Sequence, residues 1–187
     1  MNCDDTYQRF TLEDRGIEGR VARLDVWSQA GWVTVYTLEG GDPMERQIDY
    51  TAGLYSFGTC TQMLALPLIY SGSGAYLDLT IYAWNGSTMI SVLSLGGLTH
   101  GSWWLADRMM GVNYSIYLYN EPTCCPCYTQ SDRYYWDGSQ FSFDNTEQVP
   151  TFSGDPPEEC QSQVFQPIFP IYIITPLPIL PILPINP

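Results

Sequence analysis

The chain contains no lysine and a single histidine, His100. One imidazole excludes His-rich metal sites and multi-histidine acid–base networks. A hydrolytic triad would have to use His100 as its base. That residue lies in the loop-like Thr99-His100-Gly101-Ser102, and no Gly-x-Ser-x-Gly elbow supplies a nucleophile. Phosphate-binding glycine loops and complete calcium loops are also missing. The adjacent carboxylates Asp4-Asp5 and Glu158-Glu159 stand in polar, turn-rich stretches and read as solvated rather than as a glycosidase pair. Catalysis is not expected, and no cofactor is called for. Cations are scarce: 7 Arg against 20 Asp and Glu leave a net charge of −13, which makes nucleic acid and anionic membranes poor partners. Nor is there an apolar run able to span a membrane as a helix. The one long apolar segment is broken by prolines, each costing a helix about 3 kcal/mol and freeing a carbonyl that lipid cannot satisfy.

That segment, Val164 to Pro187, is the most informative part of the chain. Pro167, Pro170, Pro176, Pro178, Pro181, Pro184 and Pro187 fall mostly three apart and impose an extended, polyproline II-like backbone. Between them stand Phe165, Ile168, Phe169, Ile171, Tyr172, Ile173, Ile174, Leu177, Ile179, Leu180, Ile182, Leu183 and Ile185, an uncharged apolar load that is costly to leave in water. Fully extended, the tail reaches roughly 75 Å at about 3.1 Å per residue. A body of about 160 residues has a radius of gyration near 15 Å, so the tail can outrun its own domain. A groove or sheet edge on a neighbouring copy is the expected cover. Ile171 to Thr175 is the proline-free, β-branched stretch suited to a short added strand, with polyproline flanks in an apolar groove.

Six cysteines, Cys3, Cys60, Cys124, Cys125, Cys127 and Cys160, form an even set, and with the turn-rich, aromatic composition they point to disulfides in an oxidising extracellular or cell-surface setting. Fifteen pairings are possible. Neighbouring Cys124 and Cys125 point to opposite faces and need different partners, while a Cys3–Cys160 bond would staple the termini. A zinc site on the Cys124-x-x-Cys127 cluster with Cys60 and Cys160 is disfavoured, because four-thiolate sites normally use two paired knuckles. Met1-Asn2-Cys3-Asp4-Asp5 has no apolar leader, so the chain reads as a mature form. Asn85-Gly86-Ser87 and Asn113-Tyr114-Ser115 match the N-glycosylation triplet.

The body reads as strands and turns. Arg20 to Trp27 and Trp32 to Leu38 flank a hairpin turn, followed by runs at Gln47 to Tyr55 and Thr61 to Tyr70. Leu77, Leu79, Ile81 and Ala83 alternate with polar residues up to Asn85-Gly86, a type I′ signal, and Thr88 to Leu95 returns. Asn113 to Asn120 is a further strand, and Arg133 to Trp136 pairs with Ser139 to Phe143 across Asp137-Gly138. The two turns share the wording Tyr-x-Trp-Asx-Gly-Ser, consistent with either a duplicated unit or convergence on a good turn. Helix signals are confined to Thr11–Glu18 and Trp103–Met110. The expected fold is all-β, an antiparallel sheet in a small sandwich or barrel over residues 1–143, then an acidic linker over 144–163 and the tail over 164–187. Trp103-Trp104 and the tyrosines have the chemistry to bind sugar, though such residues more often fill cores or interfaces.

Cys124-Cys125-Pro126, followed by Tyr134-Tyr135-Trp136-Asp137-Gly138 and Phe141, resembles the ending of the bacterial LppP/LprE lipoprotein family. With Cys60 the likeness covers residues 47–143. It implies an exported, disulfide-containing β domain with no catalytic residues to carry over. Cys127, the missing lipobox and the apolar tail depart from the family pattern. The sequence thus leads to an extracellular structural subunit that assembles head to tail, as a filament, by docking its tail on the next copy. The alternative is a monomeric secreted or envelope-associated module whose tail docks on a different protein.

Overall fold

Alternating apolar and polar residues build the body as strands, and departures from alternation mark where a sheet is covered twice. The computed structural model describes residues 7–42, 45–58, 61–72, 74–117, 126–155 and 160. Among them twelve strands form three antiparallel sheets. The N-terminal sheet is β1 (Gln8–Asp14), β2 (Arg20–Ser28) and β3 (Gly31–Glu39), in that order. The central sheet holds β4 (Arg46–Ile48), β5 (Gly53–Phe57), β6 (Thr61–Tyr70), β7 (Tyr76–Trp84) and β8 (Met89–Leu98). In it β6, β7 and β8 run in order, and β4 and β5 share the other side of β6. The third sheet is β9 (Ser102–Ala106), β10 (Met109–Ile116), β11 (Tyr128–Trp136) and β12 (Phe141–Pro150), again as sequential neighbours.

The central sheet is sandwiched between the other two. One face carries Met63, Ala65, Leu77, Leu79 and Ile81 against Met110, Val112, Tyr134 and Trp136 of the third sheet. The opposite face carries Ile48, Leu64 and Leu66 against Ala22 and Leu24 of the N-terminal sheet. Strand β6 therefore buries both parities, which is why Met63-Leu64-Ala65-Leu66 is continuously apolar instead of alternating. The all-β reading holds, with a third layer added to the expected sandwich.

Several local expectations are corrected. Thr11–Glu18 is no helix: β1 occupies its first part, and a 3-10 turn follows at Gly16–Glu18. Trp103–Met110 is a hairpin, with β9 and β10 joined by Asp107-Arg108 and Asp107 at φ 52°. Cross-strand packing decides the conformation of so short a segment, overriding its propensity. The run at 47–55 is interrupted opposite Pro67. The Pro67 carbonyl accepts from Asp49 N–H, so the donor that proline lacks lies on this same side, and the chain turns out through Asp49–Ala52 before pairing again as β5. The strand placed at 113–120 starts earlier, at Met109. Strand β12 continues to Pro150 along β11, so the first part of the segment read as an acidic linker is paired strand.

The two Tyr-x-Trp-Asx-Gly-Ser motifs make the same turn. Asn85 Oδ1 accepts from Ser87 N–H (3.0 Å) and Thr88 N–H (2.9 Å). Asp137 Oδ1 accepts from Ser139 N–H (2.7 Å) and Gln140 N–H (2.9 Å). Gly86 and Gly138, at φ 97° and 110°, are the only positive-φ residues of these turns. A type I′ turn needs two, so the glycine instead takes the first central position, as in a II′ turn, while the side-chain oxygen satisfies the loop's N–H groups.

Candidate functional site

The tail and Cys3, Cys60, Cys124 and Cys125 lie outside the described residues, but the tail's root does not. Cys160 is disulfide-bonded to Cys127, with Cα atoms 5.7 Å apart, and this corrects the expected Cys3–Cys160 staple. Cys127 is buried immediately before β11. Its carbonyl accepts from Thr151 N–H at 3.0 Å, just past the end of β12. The bond thus fastens the root of the tail to the third sheet.

The outer face of the N-terminal sheet carries an aromatic row. In β2 the even residues Ala22 and Leu24 face the core, so Arg23, Asp25 and Trp27 face away from it. Trp27 pairs with Trp32 across the β2–β3 hairpin, ring centroids 5.3 Å apart and edge to face. Tyr7 continues the β1 register, its carbonyl accepting from Trp27 N–H at 2.9 Å. Tyr7, Trp27 and Trp32 are 55%, 51% and 41% exposed, which is unusual for three large rings in one row. The row is held from below. Arg9 donates to Asp25 Oδ2 through Nε (3.0 Å) and Nη2 (2.6 Å) and lies 4.6 Å from the Trp32 ring centre. Thr34 donates to Asp25 Oδ1 at 2.7 Å. These bonds, Arg9 first, hold the buried Asp25 carboxyl below its ordinary pKa.

No family model, curated protein or solved structure matches this chain.

A second constellation lies on the inner face of the third sheet, with Gln130 and Asp132 buried at its centre. Tyr114 donates to Asp132 Oδ2 at 2.9 Å, and Gln130 Nε2 donates to Tyr114 Oη (2.7 Å) and to Asp132 Oδ1 (2.8 Å). Thr146 Oγ1 donates to Asp132 Oδ1 at 2.6 Å, and Gln148 Nε2 donates to Gln130 Oε1 at 2.8 Å. Asp132 is 2% exposed and forms no salt bridge among the described residues. Burial and the Asp132 charge push the Tyr114 hydroxyl well above the usual tyrosine pKa and Tyr134 up to about 12. Sequence reasoning passed over this network because Gln130 and Asp132 look like solvent-facing strand residues. Their parity with Tyr134 and Trp136 was the available signal.

The remaining sequence candidates fall elsewhere. His100 Nδ1 lies 2.8 Å from the Tyr117 hydroxyl, with His100 in a turn at φ 49°. Trp103 is half-buried against the core, edge-on to Tyr55, and donates to Thr51 Oγ1 at 3.1 Å, while the half-buried Trp104 lies over Gly111. Asn85 is on an exposed turn, whereas Asn113 is half-buried in β10 between β9 and β11. No group of three or more His, Cys, Asp or Glu among the described residues is placed to hold a metal. No described helix is long and apolar enough to cross a membrane.

Proposed function

We propose that this protein is an extracellular structural subunit that assembles head to tail, its C-terminal tail docking on the Tyr7–Trp27–Trp32 row of the next copy. The observation that carries the reading is the coexistence, in one chain, of a proline-rich apolar segment and an exposed aromatic row. Proline-rich segments dock on aromatic surfaces because the extended backbone is already ordered and loses little entropy on binding.

The dimensions agree. Three neighbouring strands about 4.8 Å apart set the row's rings along about 10 Å. One polyproline II turn of three residues covers about 9.3 Å. From Pro178 the tail repeats Pro-Ile-Leu, so a threefold helix would put Pro178, Pro181 and Pro184 on one face, Ile179, Ile182 and Ile185 on the second, and Leu180 and Leu183 on the third. A chain of net charge −13 repels its copies over distance. An uncharged tail escapes that repulsion at the contact itself. A contact between two different patches of one protein propagates into filaments unless the rotation closes a ring.

The test is light scattering with electron microscopy of the full chain beside one ending at Gln163. Filaments or rings that disappear with the tail support assembly. Monomers in both samples overturn it and leave a module that docks on a different protein.

A further inference from the structure

We propose that Thr146 and Gln130 join in an intramolecular ester that staples edge strand β12 to β11. The five polar side chains of the third sheet stand in an order that a hydrogen-bond network alone does not require. Thr146 Oγ1 and Gln130 Nε2 both donate to one oxygen, Asp132 Oδ1, at 2.6 and 2.8 Å. A buried carboxylate bonded to a hydroxyl is a general base in place. The same oxygen touches the nitrogen that must leave. The electrophile is polarised from its other side, since Gln148 Nε2 donates to Gln130 Oε1 at 2.8 Å, where oxyanion charge would develop. Tyr114 donates to Asp132 Oδ2 at 2.9 Å, which holds the carboxylate in orientation.

The step balances within these residues. The Thr146 Oγ1–H bond breaks, its proton passes to Asp132 Oδ1, and Oγ1 bonds to Gln130 Cδ. The Cδ–Nε2 bond then breaks, Asp132 Oδ1 returns the proton to Nε2, and ammonia departs. Nothing is oxidised or reduced, and no co-reactant enters. Thr146 lies on the exposed edge of the sheet, which gives ammonia a way out. The consequence is mechanical. The Cys127–Cys160 bond fastens the tail's root to β11, and the ester would fasten the last strand before that root to the same β11.

The experiment is intact-mass spectrometry of the full chain after reduction and alkylation, followed by cleavage after Arg133. The ester predicts a chain lighter by one ammonia, with the fragments ending at Arg133 and beginning at Tyr134 still joined and separated by alkaline hydroxylamine. Thr146→Ser keeps the hydroxyl and the link, whereas Thr146→Val restores the full mass and frees the fragments. A wild-type chain of full mass whose fragments separate on reduction overturns the proposal.

Discussion

Met63 and Leu64 are neighbours on β6 whose side chains enter different cores, and truncating each in turn measures whether the central sheet is covered on both faces. Met63 is 0% exposed among Leu79, Ile81 and Met110, and Leu64 is 1% exposed among Ala22, Leu24 and Ile48. Each truncation to alanine removes buried methylenes and leaves a cavity, at a cost of about 2–5 kcal/mol. At about 2–4 °C per kcal/mol for a chain of this size, a 3 kcal/mol loss lowers the melting temperature by roughly 6–12 °C. Guanidinium unfolding followed by tryptophan fluorescence reads both variants, with a lowered midpoint at unchanged slope marking a loss of native packing. In a two-layer sandwich one of these neighbours would face solvent, where a substitution costs about 0.5 kcal/mol or less. A cost that small at either position refutes the three-layer arrangement.

Further outcomes follow from single features. Replacing Cys127 and Cys160 by serine opens a loop of sequence separation 33 and destabilises the body by about 3–4 kcal/mol on the chain-entropy relation, readable as a lowered unfolding midpoint. Gly111→Ala places a methyl 2.2 Å from the Trp104 ring and costs about 1–3 kcal/mol as overpacking, whereas Gly96→Ala, which meets only the Asp78 carboxylate at 3.0 Å, costs less. Asp25 has its folded pKa lowered by Arg9 and Thr34 from 3.8, so the unfolded chain binds the proton more tightly. The stabilisation is complete above about pH 4 and is lost as pH falls through the folded value, and Asp25→Asn flattens that acid limb in melting experiments. The proposed assembly should strengthen as salt screens the −13 charge, with light scattering growing between low and physiological ionic strength.

Strand periodicity made most of the fold legible, because each alternating run such as Leu77–Ala83 has one face to bury. What escaped was set by tertiary partners. Pro67 breaks β4 from β5 through a missing donor on a neighbouring strand, which no local pattern in 47–55 reveals. The helical reading of 103–110 failed because Trp103 and Trp104 go to opposite faces of a strand, one into the core and one over Gly111. Of the proposed contact, the tail was legible from its prolines and its absence of charge. The aromatic row was not, since Tyr7, Trp27 and Trp32 are brought together only by the register of three strands. Likewise nothing local marks Asp25 or Asp132 as buried, because the hydrogen-bond partners that enclose each come from the strands on either side.

The contact between tail and row is tested most directly by complementation. One variant keeps the tail and carries Trp27→Ala and Trp32→Ala, and the other keeps the row and ends at Gln163, so neither can propagate alone. Mixed in equal amounts and examined by light scattering, they should form one-to-one dimers and nothing larger, while each alone stays monomeric. Monomers in the mixture, or filaments from the variant without the tryptophans, would contradict the account.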